Sequence, residues 1–420
     1  MTDTTGGKAA NRLVSLDAYR GFVMLAMASG GLGLRIVASH FPDSQVWDFL
    51  SRHSEHVRWR GWTFWDLIQP SFLFIVGVAM PFSYANRRAS GARWSQLFVH
   101  ALWRSAVLVV LGVFLASAWD EPRTKFVFTN VLAQIGLGYT FVFLLLGRGP
   151  WGLALAAGVI LIGDWLAFAL WPVGDLETLG PKRGLELQWE ILSGFAAHWQ
   201  PNINVATDFD RWFLNLFPHP AGKPFEFNEG GYATLNFVPS MATMIFGVLA
   251  GEWLRSPRPV RGKCQALFLG GVLAIVLGSA LDESVCPIVK RIWTPSWAIF
   301  SAGWAALFLA LFYGLVDGAG YRRWAFPLVV VGSNSIAIYL MSQLMRPFVR
   351  RNLTIHLGPL WKAIASSQTV DGWVYRASGM HLQPVIFTGL FGPIVERLAI
   401  LAVFWLICLW MYRQRIFLKI

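Results

Sequence analysis

The sequence predicts an all-α, polytopic integral membrane protein with about ten transmembrane helices. Of its 420 residues, 55% are hydrophobic and 14% are charged, whereas soluble domains carry about 25% charged residues. The mean hydropathy is +0.50. The apolar residues fall into runs of about 20, the length at which a helix crosses a bilayer. No gap between these runs suggests a separate globular unit, so we expect one membrane domain over residues 1–420.

The predicted spans follow the apolar runs in chain order. They are Leu13–Val37, Phe64–Tyr84, Leu97–Ser117, Phe126–Leu146, Trp151–Trp171, Thr234–Leu254, Ala266–Leu281, Trp297–Val316, Ala325–Phe348 and Pro393–Tyr412. The seventh run is the shortest, and we expect it to be tilted or half-buried. Glycine and proline recur inside the runs, as is usual for membrane helices.

Basic residues occupy alternate gaps, and this pattern predicts the orientation of the chain. They precede the first span, follow the second, fourth, sixth and eighth, and close the chain: Lys8, Arg12, Arg87, Arg88, Arg93, Arg148, Arg255, Arg258, Arg261, Lys263, Arg322, Arg323, Arg413, Arg415 and Lys419. The positive-inside rule places these gaps, and with them both termini, in the cytoplasm. We therefore expect a multi-pass protein of the cell inner (plasma) membrane. The net charge of +12 then reflects topology, and no nucleic-acid partner is expected.

The remaining gaps include three predicted extracytoplasmic loops, at residues 38–63, 172–233 and 349–392. The second of these loops is richer in acidic than in basic residues. The third is basic against the rule, which is tolerated because long loops translocate largely regardless of their charge. Its charge is either simply solvated or faces an anionic acceptor.

The cysteine positions and the lack of several common sequence motifs argue against disulfide and metal sites and against the common classes of nucleotide-binding site. Cys264, Cys286 and Cys408 fall in different predicted layers, so no disulfide is expected, and no metal-ligand spacing is present. The chain has no P-loop, dinucleotide fingerprint, HExxH or GxSxG motif. The first apolar run contains Asp17 and Arg20 and lacks a convincing cleavage site, so we expect it to be retained as a span.

The segment from His53 to Pro81 carries the clearest chemical signal. A polar, histidine-bearing loop leads directly into an apolar run that begins with Asp66, and His56 lies in that loop among several tryptophans. Imidazole is the side chain best suited to proton transfer near neutral pH. An aromatic belt at the membrane surface explains the tryptophans equally well. The spacing alone therefore leaves a catalytic and a structural interpretation of His56 open.

Polar residues inside predicted spans are functional candidates by default. Asp17 and Arg20 share one helix face, so they either form a structural ion pair near the inner surface or belong to a site. Asn130 and Gln134 also share a face, and Asn334 lies between two serines. Hydrogen bonds between helices explain these amides as well as a site does.

Several segments, in order along nearly the whole chain, resemble the motifs of one family. They are RLVSLDAYRGFVM (12–24), HVRWRGWTFWDLIQPSFLFIVGVAMPFS (56–83), NVLAQIGLGY (130–139), EGGYATLNFVPSMATMIFGVLAG (229–251), PIVKRIWTPSW (287–297), FPLVVVGSNSIAIYLMS (326–342) and RQRIFLKI (413–420). Each segment is weakly specific alone, whereas their shared order is specific. On these segments the chain resembles the heparan-alpha-glucosaminide N-acetyltransferase family of membrane acyltransferases, including its bacterial members.

The resemblance implies a transmembrane acyltransferase. Such an enzyme moves an acetyl group from cytosolic acetyl-CoA to an extracytoplasmic amino sugar, glycan or glycolipid, by N- or O-acetylation. The family's catalytic histidine falls on His56, and its adjacent acid falls on Asp66. Further residues are expected to line or support the acetyl-CoA site: Asp17, Arg20, Asn130, Gln134, Lys290 and Asn334.

The chain departs from the family pattern at Ala133–Gln134, where the family usually has Gln-Arg, so a charge expected there is missing. The large soluble extension that precedes the spans in lysosomal members is not seen, and heparan sulfate itself is therefore not the expected acceptor. The tryptophan and phenylalanine content expected at span surfaces is compatible with a homodimer.

Two chemical routes and two rival classes remain open from the residues. His56 can act as a general base that Asp66 orients, or it can carry a transient acetyl group. The main rival class is a proton-coupled transporter of a small solute, which would use intramembrane Asp17, Asp66 and Glu396; the inverted repeats that favour this class are not evident. A scaffold that binds glycolipid without turnover is the third class, and it would have no need of acetyl-CoA.

Overall fold

The structure is a computed structural model, and it describes residues 13–118, 123–174, 180–184, 190–219, 222, 224–365 and 390–418. Every regular element in these ranges is helical, apart from an isolated antiparallel bridge between Arg60 and Val289. The all-α prediction is confirmed. The α-helices are α1 (Val14–Ser29), α2 (Leu34–Ala38), α3 (Gln45–His53), α4 (Ile68–Ala89), α5 (Trp94–Ala116), α6 (Val131–Leu144), α7 (Gly149–Ala169), α8 (Val205–Phe213), α9 (Phe237–Arg255), α10 (Val260–Ser284), α11 (Pro295–Phe312), α12 (Phe326–Gly332), α13 (Ser335–Leu344), α14 (Arg346–Ala365) and α15 (Gly392–Arg413). Short 3₁₀ turns lie at Gly30–Gly33, Phe64–Leu67, Pro181–Arg183, Gly194–Trp199, Leu214–Leu216 and Thr234–Asn236, and a π-helical stretch lies at Tyr313–Gly318.

Within the described chain, eight helical stretches are long and apolar enough to cross a membrane. They are Val14–Ala38, Phe64–Ala89, Trp94–Ala116, Gly149–Ala169, Thr234–Arg255, Val260–Ser284, Pro295–Gly318 and Gly392–Arg413. A ninth is added if the bent pair of α12 and α13 counts as one span. The polytopic prediction is confirmed, and the fourth, seventh and ninth predicted spans differ from their expected form.

The fourth predicted span, Phe126–Leu146, is shorter than expected. α6 has 14 residues, which at about 1.5 Å per residue is well short of a hydrocarbon core of about 30 Å. The helix begins late because Asn130 is its N-cap, with its Oδ1 atom accepting a hydrogen bond of 3.0 Å from the Ala133 N–H. The residues before it form a non-helical segment in which Phe128 contacts Phe217. The late start leaves room beside the N-terminus of α6.

The ninth predicted span, Ala325–Phe348, is broken in two. α12 and α13 are bent by 77° at a break that contains Asn334. The Asn334 Nδ2 donates to the Ile416 carbonyl at 3.0 Å, and its Oδ1 accepts from the Leu418 N–H at 3.1 Å. Asn334 therefore binds the C-terminal segment at the break. The hydropathy of a single span does not reveal this contact.

Two other segments are more helical than predicted. The seventh span is expected to be short at Ala266–Leu281, whereas α10 has 25 residues. Its first turns contain Arg261 and Lys263. Long basic side chains can reach a membrane surface while their backbone stays helical, so these two residues did not mark the start of the helix. The predicted loop 349–392 begins as part of α14, and residues 366–389 of that loop lie outside the described residues.

Hydrogen bonds show which gaps meet at the same end of the bundle. The Ser15 N–H, at the start of α1, donates to Asp317 Oδ2 at 3.0 Å. At the other end of α1, Arg346 donates to the Ala28 carbonyl at 2.5 Å. Both contacts join parts of the chain that were predicted to lie towards the same side of the membrane. Which end faces the cytoplasm stays a prediction, and three of its basic residues lie outside the described ranges: Lys8, Arg12 and Lys419.

Parts of the predicted loops 38–63 and 172–233 pack together over the His56 end of the bundle. Trp59 and Trp199 are both fully buried in one apolar cluster, which also contains Val289. The Trp59 Nε1–H donates to the Trp199 carbonyl at 3.0 Å. In the described parts of these loops, the chain therefore forms a packed cover rather than separate solvated loops.

Glycines allow α4 to lie directly against α9. A Cβ atom on Gly77 would overlap the Met244 carbonyl oxygen, and a Cβ atom on Gly247 would overlap the Phe74 carbonyl oxygen. Small residues permit such close approach of two membrane helices. This contact fixes α4, whose first turn follows Asp66.

We expect Gly77→Ala to lower stability, because the added methyl group forces α4 and α9 apart. Overpacking of this kind typically costs about 1–3 kcal/mol. Gly158→Ala on α7 is the matched control, since an added Cβ atom there meets nothing within 4 Å. The apparent Tm in detergent should fall for Gly77→Ala alone, and an unchanged Tm for both variants would contradict the close contact.

Candidate active site

Asp66 is held by a local sequence pattern at the entry to the second span. Thr63 and Asp66 form a capping box, in which each side chain bonds the backbone of the other residue. Asp66 Oδ2 accepts hydrogen bonds of 3.1 Å from the Thr63 N–H and the Val57 N–H. Asp66 is 1% exposed. Its other oxygen, Oδ1, faces His56 and Lys290.

His56 lies at the rim of the bundle with one ring edge bound to Asp66. Its Nδ1 atom is 2.7 Å from Asp66 Oδ1. Because an ionised carboxylate only accepts hydrogen bonds, we assign the proton to Nδ1. Nε2 then keeps its lone pair, and the side chain is 41% exposed. An acid that fixes the tautomer in this way also orients the base of hydrolase triads.

Lys290 joins this pair from a distant part of the sequence. Its Nζ atom lies 3.2 Å from Asp66 Oδ1 and 3.0 Å from His56 Nδ1. The Lys290 side chain is 4% exposed. Since Nδ1 already carries a proton, we take Asp66 as the acceptor for both neighbours. The ammonium group therefore lies beside the ring, where it opposes a second positive charge.

The turn that carries Lys290 is bound to the His56 loop by two further contacts. The Gly61 N–H donates to the Ile288 carbonyl at 2.9 Å. Arg60 Nε donates to Asp282 Oδ1 at 3.1 Å, at the end of α10. These contacts fix the distance between the imidazole and the ammonium group.

The surroundings favour the neutral form of His56. Burial lowers the pKa of His56 below its usual value of 6.5; Asp66 opposes this shift, and the positive charge of Lys290 adds to it. Burial also lowers the pKa of Lys290, against the effect of Asp66. Neutral imidazole is the form that accepts a proton, so the surroundings of His56 suit proton acceptance at neutral pH.

His56 and Lys290 line a cavity of about 290 Å³ in this end of the bundle. The rest of its wall comes from α1, α4, α6, α13, the 3₁₀ turn before α4, the segment before α6 and the predicted loop 172–233: Met24, Met27, Trp65, Ile68, Gln69, Phe72, Thr129, Asn130, Val131, Tyr232, Tyr339 and Gln343. The late start of α6 supplies one side of it. A largely apolar wall with a few polar groups is typical of a small-molecule site.

Two of the expected donor-binding amides lie at this cavity or directly behind it. Asn130 lines the cavity while it caps α6. Gln134 is buried, and its Oε1 accepts a hydrogen bond of 2.7 Å from the Nε2 of Gln69, which lines the cavity. Gln134 therefore positions Gln69, and a role of either amide in binding acetyl-CoA stays a prediction.

The structure places Asp17, Arg20 and Asn334 away from this cavity. Arg20 Nη1 lies 3.4 Å from Asp17 Oδ1, which is the ion pair that their spacing allowed. Asp17 lies about 10 Å from Met24 along α1 at about 1.5 Å per residue. Asn334 bonds the C-terminal segment instead. Each of the three has a structural contact, and their expected role in donor binding stays a prediction.

Sequence reasoning missed five polar residues of the cavity wall: Gln69, Thr129, Tyr232, Tyr339 and Gln343. Gln69 lies one helical turn after Asp66, so helical spacing could have found it. Tyr232 is part of the quoted EGGY segment, and the Arg291 guanidinium lies 5.3 Å from its ring centre. Gln343 is an isolated amide near the end of an apolar run, which offers no chemical signal.

Comparison with known proteins agrees with the motif pattern. A family model described as heparan-alpha-glucosaminide N-acetyltransferase, catalytic, matches residues 12–180, the range that holds His56 and Asp66. The heparan-alpha-glucosaminide N-acetyltransferase of Mus musculus is 24% identical over 386 residues, which is 82% of this chain and 55% of the mouse protein. The Homo sapiens protein of the same name is 24% identical over 375 residues, which is 78% of this chain and 52% of the human protein.

The resemblance to the heparan-alpha-glucosaminide N-acetyltransferase family is confirmed. The chain spans about half the length of the curated relatives that it matches. Lys290 lies beyond the range of the family model, and the structure brings it to the two residues on which the resemblance places the family's catalytic pair.

Proposed function

We propose that this chain is a transmembrane acyltransferase. It moves an acetyl group from cytosolic acetyl-CoA to an amine or hydroxyl of a sugar, glycan or glycolipid on the far side of the cell inner membrane. The observation that carries the proposal is the cluster of His56, Asp66 and Lys290 at the wall of a cavity within a membrane bundle. The names of the mouse and human relatives support it, because they describe acetyl transfer to a glucosaminide.

His56 Nε2 is the base in the proposed reaction. The acceptor amine or hydroxyl attacks the thioester carbonyl, a C–N or C–O bond forms, and the C–S bond breaks to release CoA. The acceptor's proton passes to Nε2, and Asp66 stabilises the resulting imidazolium through Nδ1–H. The same atom could instead take the acetyl group first and pass it to the acceptor. Both routes need Nε2 unprotonated and facing the cavity.

Lys290 supports this chemistry through its charge. The tetrahedral intermediate carries negative charge on the former carbonyl oxygen, and a buried cation at the cavity wall stabilises that charge more strongly than it would in water. Asp66 keeps the ammonium group in place at 3.2 Å. The same positive charge discourages premature protonation of His56.

Acetyl-CoA turnover by purified protein is the test of this proposal. The protein in detergent is given acetyl-CoA and glucosamine, an acceptor chosen from the names of the relatives. Free CoA thiol and N-acetylglucosamine are measured together, and we expect them in equal amounts. Intact acetyl-CoA, combined with solute uptake driven by a pH gradient in proteoliposomes, would favour the transporter class instead.

The pH dependence of the acetyl-transfer rate should follow the protonation of His56. Protonation removes the base, and a lowered pKa means that protonation needs more acid; kcat/KM should therefore be level at neutral pH and fall below an inflection under pH 6.5. Lys290→Met removes the opposing positive charge, so its inflection should lie at higher pH. Both profiles are corrected for the neutral fraction of the acceptor amine. A wild-type inflection above pH 6.5, or a lower one in Lys290→Met, would contradict this assignment.

A further inference from the structure

A second cavity, of about 180 Å³, adjoins the first one. Thr129 and Tyr232 line both cavities, so these two residues lie between them. The rest of the second wall comes from the segment before α6, from α8 and from the chain up to Thr234. Half of the lining residues belong to the gap 172–233, which the sequence predicts on the extracytoplasmic side, and residues 126–129 form the outer end of the predicted fourth span. The second cavity therefore lies on the route from the outer surface to His56.

Asp210 on α8, together with Thr234, carries a buried polar atom on this wall that has no hydrogen bond in the described structure. Asp210 is 2% exposed. Its Oδ2 accepts a hydrogen bond of 2.9 Å from the Thr234 N–H. The Thr234 hydroxyl lies near enough to lower the pKa of Asp210, but neither Asp210 Oδ1 nor Thr234 Oγ1 has a hydrogen bond of normal geometry in the described structure. A buried oxygen without a donor is costly and rare, so it indicates either strain or a ligand that supplies the donor.

The rest of the wall suggests what such a ligand is. Three phenylalanines, Phe126, Phe128 and Phe225, line the cavity beside Asp210. Burial raises the pKa of Asp210 to about 6, so near neutral pH the carboxyl group is mostly ionised and accepts hydrogen bonds. A pyranose ring combines apolar C–H faces with hydroxyl groups at its edge. It fits a wall that combines aromatic rings, one buried carboxyl group and the polar side chains of Lys125 and His219 better than a lipid chain would.

We infer that the second cavity binds a sugar ring of the acceptor, with a ring hydroxyl donating to Asp210 Oδ1. The reacting amine or hydroxyl of the acceptor then reaches His56 past Thr129 and Tyr232. This inference rests on the proposed function for the reaction itself, and it adds the place where the sugar ring binds and the residue that selects it. Asp210 touches the substrate but takes no part in the acetyl transfer.

Asp210→Asn tests this role with little disturbance of the fold. The amide oxygen can still accept from the Thr234 N–H, which turns the NH₂ group to the place of Oδ1 and replaces an acceptor by a donor. Glu226→Gln is the matched control, because Glu226 is an exposed carboxylate of the same gap and does not line the cavity. The probes are glucosamine and ethanolamine, since ethanolamine offers an amine without a sugar ring.

We expect Asp210→Asn to weaken glucosamine binding, measured by calorimetry without acetyl-CoA, about tenfold or more, as for the loss of one hydrogen bond to a charged group. In turnover, its KM for glucosamine should rise to the same extent, with kcat and the KM for ethanolamine nearly unchanged. Glu226→Gln should match the wild type in all three.

The binding experiment separates this inference from the proposed function. If the wild type binds glucosamine through Asp210 but does not consume acetyl-CoA, the proposed function fails and the sugar site stands. Equal glucosamine binding by wild type and Asp210→Asn would overturn the sugar site. So would a wild type that binds no glucosamine, or an equal rise in KM for ethanolamine, which would show a merely structural role.

Discussion

Replacing His56 with alanine should lower the rate of acetyl transfer by about 10²–10⁴-fold, the range attributed to a positioned general base. The reason is that the Nε2 atom of His56 carries the lone pair that accepts the proton at the cavity wall. Asp66 cannot replace it, because its oxygens are occupied by Thr63, Val57 and Lys290. The measurement is kcat for acetyl transfer by purified protein at saturating acetyl-CoA and acceptor.

His40→Ala is the control for this loss. His40 is exposed, lies in the same predicted loop, and its Nδ1 is 2.9 Å from the Ile36 carbonyl. It does not line the His56 cavity, so the variant should keep the wild-type rate. A folded His56→Ala protein, eluting as the wild type in size exclusion, that retained full turnover would refute the role of His56.

Asp66→Asn should be nearly as damaging as the loss of the imidazole. If the amide oxygen keeps its bonds to the Thr63 and Val57 N–H groups, the NH₂ group faces His56 Nδ1. The ring proton then moves to Nε2, and the base is lost at the cavity. The corresponding change in a hydrolase triad lowers kcat by about 10⁴, and we expect a fall of about 10²–10⁴ here, no larger than that of His56→Ala.

The same substitution should also lower stability. It leaves the buried Lys290 ammonium without its carboxylate, and breaking a buried ion pair from one side costs about 3–5 kcal/mol. The double variant Asp66→Asn with Lys290→Met removes both charges and should recover much of the Tm without recovering turnover. If turnover returned together with the Tm, Asp66 would act only by holding the fold.

The pairing of His56 with Asp66 could be predicted from the sequence. Thr63 and Asp66 have the spacing of a capping box, which sets the carboxylate at the start of a helix. The loop before it is short, so a polar ring there can return to that carboxylate. The resemblance named the same two residues independently.

The position of Lys290 could not be predicted in this way. It reaches Asp66 across 224 residues and comes from a turn whose contacts with Gly61 and Arg60 are visible only in three dimensions. Asp210 was likewise one acidic residue among several in its gap. Its distinction is an unpartnered, buried oxygen, which composition does not show.

Hydropathy also failed to predict where α6 begins and where the ninth predicted span is broken. The run Phe126–Leu146 is apolar enough to suggest a full span, but the cap at Asn130 delays α6, and this delay makes the cavity wall. The run Ala325–Phe348 gives no sign of the break at Asn334, because hydrogen bonds from the C-terminal segment hold it. Apolar counts report burial in the bilayer, whereas caps and breaks depend on single polar groups.

Transfer across a sealed membrane tests the central claim most directly. Proteoliposomes are sorted for one orientation of the protein. Acetyl-CoA with a labelled acetyl group is supplied on the side of the chain termini, and an acceptor that cannot cross the membrane is added on the side of His56. We expect labelled acceptor with the wild type and His40→Ala, and none above background with His56→Ala. Label that appears equally with His56→Ala, or only when both reagents share one compartment, would contradict the account.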